Sequence, residues 1–263
     1  MTNKKFYLPH WFFPLLSILF WVGLWWLIAW RFAKPLILPT PVAVLHRLGE
    51  LLATAPFWIA VATSLVRILL GILLALAFGA LLAWLTVKSR ACHHLFSPLL
   101  ALFQATPVAS VIFLMLLWVG RDRVPLLIAF MMALPIVWSN LREGLLQTDR
   151  GLLEMAQIFA FSTAKRIRFI HIPSLTPYFL SACRSAISLA WKAGVAAEVL
   201  CVPQRSLGRA IWEGKQYLLT DDLFAYTLTV ILLSVAIEAG TLALLRRGQR
   251  HERKEEKSDA ATA

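Results

Sequence analysis

Residues 68–87 read ILLGILLALAFGALLAWLTV, twenty consecutive positions without a charged side chain. At 1.5 Å of rise per residue, such a run makes a helix of about 30 Å, the thickness of a bilayer's hydrocarbon core. Gly71, Ala75 and Gly79 recur every four residues and so share one helix face. Small side chains there let a second helix approach closely.

Apolar runs of similar length occur on both sides of this one. They occupy 11–30, 99–119, 124–141, 175–199 and 223–245, which with 68–87 predicts an all-α, polytopic membrane protein of six transmembrane helices. Composition agrees: of 263 residues 59% are hydrophobic and 15% charged, where a soluble domain carries about 25%. The expected organisation is a cytoplasmic N-terminus at 1–10, a single transmembrane domain at 11–245 and a charged, fraying tail at 246–263. No small-residue cleavage site follows the first run, so it reads as an uncleaved span. Trp11, Trp25, Trp26 and Trp30 lie near its ends, as an aromatic belt requires. The amphipathic stretch 42–52, behind Pro39 and Pro41, is too short to cross and is expected to lie along the membrane surface. Pro107, inside the third run, is expected to interrupt its hydrogen-bond ladder unless a neighbouring group compensates.

The formal net charge is +12, with 26 Lys and Arg. With the N-terminus inside, fifteen of these fall on the cytoplasmic side and nine outside, while Arg184 and Lys192 lie within the fifth run. This bias predicts cytoplasmic N- and C-termini in a multi-pass plasma-membrane protein and accounts for the basic residues without nucleic acid. Cys92, Cys183 and Cys201 form no CxxC pair and no zinc-ligand spacing. The nearest approach to a phosphate-binding loop, Gly208 to Gly214-Lys215, has five intervening residues and Gln216 where a hydroxyl is needed. No nucleophile or metal cluster is present either, so the chain is not expected to be an enzyme and needs no cofactor of its own.

The longest internal polar segment, 142–173, carries the most specific pattern. Leu152, Leu153, Ala156, Phe159 and Ala160 cluster on one helical face, making a short helix that could dock on a protein or rest on lipid. Ser162 is placed to cap a second short helix, and Lys165, Arg166 and Arg168 suit headgroups or an acidic partner. Glu154-Met155-Ala156, three residues, Ala160, nine residues, then Ile170-His171-Ile172-Pro173 resembles the cytoplasmic loop signature of bacterial ABC importer permeases, E-A-A, three residues, G, nine residues, I-x-L-P. Glu154, Ala156, Ile170 and Pro173 match, while Met155, Ala160 and Ile172 replace alanine, glycine and leucine.

The resemblance extends over most of 35–242 and is similar to the branch for nitrate, taurine and aliphatic sulfonates. It rests on Leu38-Pro39-Thr40-Pro41, Thr63-Ser64-Leu65-Val66-Arg67 with Gly71, Pro98, Pro107, Leu117-Trp118-Val119-Gly120, Trp191 to Glu198, and Leu207-Gly208. Val119 and Gly194-Val195 depart from the branch pattern. The resemblance implies a type I ABC importer permease fold in the bacterial inner membrane. It also implies a second permease copy, two ABC ATPase subunits that bind the ATP and magnesium, and an extracytoplasmic solute-binding protein. Residues 150–173, with Leu153, Glu154, Ala156, Phe159, Ala160, Ile170 and Pro173, would couple to the ATPase, and the cargo would be a small, often anionic solute.

Arg184, Lys192, Glu198 and Glu238 are charged positions within or beside the fifth and sixth runs. Charge at such depth is costly and usually faces a bundle interior or a cavity, which makes these four candidates for a translocation path. Arg184 could instead snorkel to the cytoplasmic interface, and Lys192 could be neutralised by Glu198 or Glu238. Two other classes fit the composition: an ion-coupled secondary transporter, although no internal repeat is found, and a non-transport membrane scaffold for which 142–173 is a docking loop.

Overall fold

In a computed structural model the protein is all-α. The structure describes residues 12–32, 34 and 36–262; Trp11 and the expected cytoplasmic stretch 1–10 lie outside them. Eleven α-helices are described: α1 (Phe12–Phe32), α2 (Pro41–Leu52), α3 (Ala55–Lys88), α4 (Arg90–Ala105), α5 (Val108–Trp118), α6 (Val124–Leu146), α7 (Arg150–Ile158), α8 (Thr163–Arg166), α9 (Ile172–Cys201), α10 (Leu207–Gln216) and α11 (Thr220–Thr262). A π-helical turn, Ile167–His171, joins α8 to α9.

Two compact units form. One takes the described residues through Trp58 together with Ala210–Thr229, the other Ile59–Arg209 with the chain from Val230 onward. In the first, Thr40 caps α2 through the Ala43 N–H at 3.3 Å, with Pro41 at the favoured first helical position. Arg47 of α2 binds Asp222 of α11 through two nitrogens and Glu50 at 2.7 Å, and Trp25 donates to the Pro39 carbonyl at 3.1 Å while stacking on Phe224. The stretch 42–52 thus lies in a helix of 12 residues, Pro41–Leu52, too short to cross a bilayer.

The second unit is built on helix contacts made close by glycine. At Gly79 an added Cβ would fall 2.7 Å from the Val137 side chain, at Gly144 2.7 Å from the Tyr178 ring, and at Gly194 2.8 Å from Ile68. Gly71 leaves no room against the Leu126 carbonyl, and Ala75 is fully buried. The face expected from Gly71, Ala75 and Gly79 is therefore the α3 surface against α6. Where α6 packs on α9, Ile128, Met131 and Met132 share a buried cluster with Ala193, Ala197 and Cys201. Trp191 donates to the Val230 carbonyl at 3.2 Å.

Among the described residues three helices are each long and apolar enough to cross a membrane: α3, α6, and α11 over Thr220–Thr241. The third run is not the continuous span expected at 99–119. It breaks into α4 and α5, bent by 106°, and makes a fourth crossing only if the pair counts as one. Thr106 sits in extended backbone (φ −79°, ψ 131°), the conformation forced on a residue preceding proline, and Pro107 has no N–H for the ladder. The second run also starts earlier than expected, at Ala55, so Arg67 belongs to a helix and not to a loop. The final helix continues to Thr262, where a fraying tail is expected. Glu, Lys, Arg, Gln and Ala dominate 249–263 and are good helix formers even without an apolar face.

Candidate functional site

The segment 142–173 folds as the spacing predicts, two short helices joined by a tight turn. Asp149 opens α7: its carboxylate accepts from the Gly151 N–H at 2.7 Å. Glu154 sits a turn further on, exposed, with no hydrogen bond or ion pair among the described residues. The apolar face also divides. Ala156 is fully buried and Leu153 half-buried, so this side packs on the chain itself. Leu152 and Met155 are open, and Ile158 and Phe159 are 81% and 69% exposed. The free apolar surface is therefore Leu152, Met155, Ile158 and Phe159, bordered by Glu154.

Ala160 adopts the left-handed conformation (φ 49°) that the signature's glycine would favour. Around it the Phe161 N–H bonds the Ala156 carbonyl at 2.8 Å, and the Ala160 N–H bonds the Gln157 carbonyl at 3.0 Å. This is a Schellman ending, which normally carries glycine at the left-handed position. The alanine keeps the turn at a steric cost and does not abolish it. Ser162 then caps α8 through the Lys165 N–H at 3.4 Å, as expected, Ile170 is buried, and Pro173 stands exposed in the first turn of α9.

A second constellation lies at the other end of α9. Glu198 is completely buried. Its carboxylate accepts from Ser64 Oγ at 2.7 Å, Arg67 Nη1 at 2.7 Å and the Gly208 N–H at 3.2 Å. Ser64 Oγ accepts in turn from the Leu207 N–H at 2.9 Å. Asp122, in the turn between α5 and α6, accepts from the Gln204 N–H at 3.1 Å and lies 3.9 Å from Arg67. Thr63 donates to the Arg205 carbonyl. Serine and arginine three residues apart on α3 share one face, so one acid can take both. Gly208 has no room for a Cβ against the Glu198 side chain, and this contact brings its N–H within reach. The turn 202–208 is thereby tied to α3, with Val202 and Arg205 both at φ 50°.

The four candidate path charges consequently separate. Glu198 is buried among its own partners and is not an open surface. Arg184 donates to Glu238 at 3.0 Å, so each neutralises the other. Neither Glu198 nor Glu238 neutralises Lys192, which is exposed and has no ion pair among the described residues. Arg67, Ser64, Asp122 and Gly208 are functional candidates that sequence reasoning missed. Ser64, Arg67 and Gly208 stood inside motifs quoted for the resemblance, but nothing in their spacing pointed to a shared carboxylate.

The chain is 28% identical over 231 residues to the taurine transport system permease protein of Escherichia coli, covering 85% of this chain and 83% of that one. It is 29% identical to a Bacillus subtilis permease protein named for aliphatic sulfonates transport, over 72% of this chain and 68% of the other. It is 28% identical to the formylaminopyrimidine transport permease protein of Halalkalibacterium halodurans, over 67% and 71%. Residues 68–249, most of the chain, match the family described as the binding-protein-dependent transport system inner membrane component. The chain therefore belongs to that family, as a non-catalytic membrane subunit of an ABC transporter.

Proposed function

We propose that this chain is the permease of an ATP-driven importer of a small, anionic solute, and that it couples to a separate ATPase subunit through residues 150–173. In this reading it crosses the bacterial inner membrane six times, by α1, α3, the bent α4–α5 pair, α6, α9 and α11, with both termini cytoplasmic. Two copies form the path, two ATPase subunits dock inside, and a solute-binding protein delivers cargo outside. A cargo that carries an anionic group is supported by the names of two relatives, since taurine and the aliphatic sulfonates both bear a sulfonate.

The observation that carries the coupling is the open rim of α7. Leu152, Met155, Ile158 and Phe159 expose apolar surface beside Glu154, which has no partner among the described residues, in a segment whose other face is packed on its own chain. Apolar contact area and a carboxylate able to accept charge-assisted hydrogen bonds make a protein-docking surface. A rim resting on lipid would place Glu154 against the headgroups with no use for its charge.

The test is Glu154→Lys and Glu154→Ala in the assembled transporter. Both variants are expected to insert normally and to lose most of the ATPase stimulation by the binding protein, with charge reversal the more severe. Reconstituted ATPase activity with and without binding protein, and co-purification of the ATPase subunit, are the measurements. Full stimulation in Glu154→Lys would overturn the reading.

A further inference from the structure

Several cations in the described helices of the second unit have an assigned neighbour. Arg67 is held by Glu198 and Arg184 by Glu238, while Lys88 and Arg142 lie over the Trp84 and Trp138 rings. Lys192 has no such neighbour among the described residues. It stands on α9 nine residues before the helix ends at Cys201, about 14 Å along the axis and farther than its four-carbon stem reaches. The opposite side of the helix there is core: Ala190, Trp191, Ala193, Gly194 and Val195 are buried. Lys192 therefore points away from its own chain.

Its own line on that face is polar or small, with the exposed Leu189 beside it. Ser188 lies one turn before the lysine, half-buried; Ser185 and Ser181 continue the line and are exposed, as is Ala196 one turn after. Residues four apart on a helix are neighbours. The face thus presents an ammonium with three donors above a row of hydroxyls, with no acid among them. Lipid is a poor solvent for such a face, and a charged residue inside a membrane domain normally faces a water-filled cavity.

We propose that Lys192 is the charge-selecting residue of the solute path, favouring anions through its ammonium while Ser185 and Ser188 offer hydroxyl donors to the anion's oxygens. This rests on the permease reading above. The choice of lysine suits transit. An arginine fork holds an oxyanion at two points, whereas an ammonium is a strongly hydrated point charge on a flexible stem. Conduction requires a site that attracts its solute and still releases it.

The test needs no knowledge of the cargo. In a chain carrying Cys92→Ser, Cys183→Ala and Cys201→Ala, a single thiol is introduced by Ser188→Cys or Ala196→Cys, one turn to either side of Lys192. The full transporter with its ATPase subunits is assembled in membrane vesicles. Labelling rates are measured for two membrane-impermeant methanethiosulfonates, the anionic sulfonatoethyl and the cationic trimethylammonioethyl reagents, each normalised to a free thiol. A single positive charge about one turn away should favour the anionic reagent by about fivefold. Lys192→Gln should bring the ratio to about one, Lys192→Glu should invert it, and Lys192→Arg should retain it. Thiols unreactive in every nucleotide state would mean that the face meets lipid, with Lys192 serving a lipid phosphate, and would overturn the proposal. So would a ratio that Lys192→Gln leaves unchanged. Co-purification of the ATPase subunits is scored separately. Its absence with a charge-dependent ratio would sink the importer reading while leaving the selectivity of Lys192 in place.

Discussion

Glu198 and Glu154 are the same side chain in opposite circumstances, near the two ends of the stretch that runs from α7 through α9. Glu198 is wholly buried and its carboxylate has three donors, from Ser64, Arg67 and Gly208. Glu154 is exposed, with no partner among the described residues. Burying a carboxylate is tolerable only where donors replace its water, so the first site is complete within this chain. The second holds a charge beside apolar surface that the chain does not cover, and it becomes useful when another protein arrives. Motif spacing singled out both residues. The partners around each distinguish a residue that holds the fold from one that serves an interface.

The sharpest way to break this contrast is Glu198→Ala. It leaves the half-buried Arg67 without its acid and removes the acceptor from two further donors. Losing one partner of a buried pair costs about 3–5 kcal/mol. In a protein of this size that should lower the unfolding temperature of the detergent-purified permease by about 10 °C. Glu198→Gln keeps an oxygen acceptor and should cost less, with Asp122, 3.9 Å from Arg67, as a nearby second acid. An Ala variant that melts with the wild type would mean that the network holds nothing.

Gly208→Ala comes next. The new methyl would collide with the Glu198 side chain and the adjoining Val199 backbone, neither of which is free to swing away. Overpacking of this kind costs about 1–3 kcal/mol. Because Gly208 and Glu198 touch, the double variant should fall short of the sum of the singles. Additive losses would show that the turn and the carboxylate are independent.

Much of the helical plan was legible because it depends on local composition. The uncharged run at 68–87, the Gly71–Ala75–Gly79 face and the Ser162 cap each need only neighbours in sequence. The partner of Glu198 was not legible. Lys192, on the same helix, is the cation that the sequence places near it, but Arg67 lies 131 residues away. Arg67 also falls just outside the uncharged run, which begins at the next residue, Ile68. That contact exists because Gly194 lets α9 approach α3 at Ile68, which spacing along one helix cannot reveal. The break at 106–107 was half legible: proline marked the interruption, but the 106° turn depends on how α4 and α5 each pack against α6.

Ala160→Gly should act in the opposite direction from these losses. Alanine in the left-handed region carries a penalty of about 1–2 kcal/mol that glycine escapes. Part of that gain is lost because glycine also frees the unfolded chain. A net local stabilisation of about 1 kcal/mol is expected, seen as slower amide exchange over 156–161, where the Schellman bonds lie. Unchanged or faster exchange would show that the turn bears no strain at this position.

The smallest expected effect on stability belongs to Glu154→Lys, and it carries the most weight for the contrast. Glu154 has neither burial nor a described partner to lose, and a surface substitution of that kind changes stability by about 0.5 kcal/mol or less. Lysine is as good a helix former as glutamate, so α7 should persist. Asp149 still caps the helix, and Ala156 and Ile170 still pack inward. The unfolding temperature of the isolated permease should therefore stay within about 2 °C of the wild type, while ATPase stimulation in the assembled transporter collapses. Stability and activity would then part at Glu154, whereas at Glu198 they should fall together. If Glu154→Lys lowered the unfolding temperature as much as Glu198→Ala, the exposed carboxylate would be part of the fold, and the rim of α7 would lose its claim to be an interface awaiting a partner.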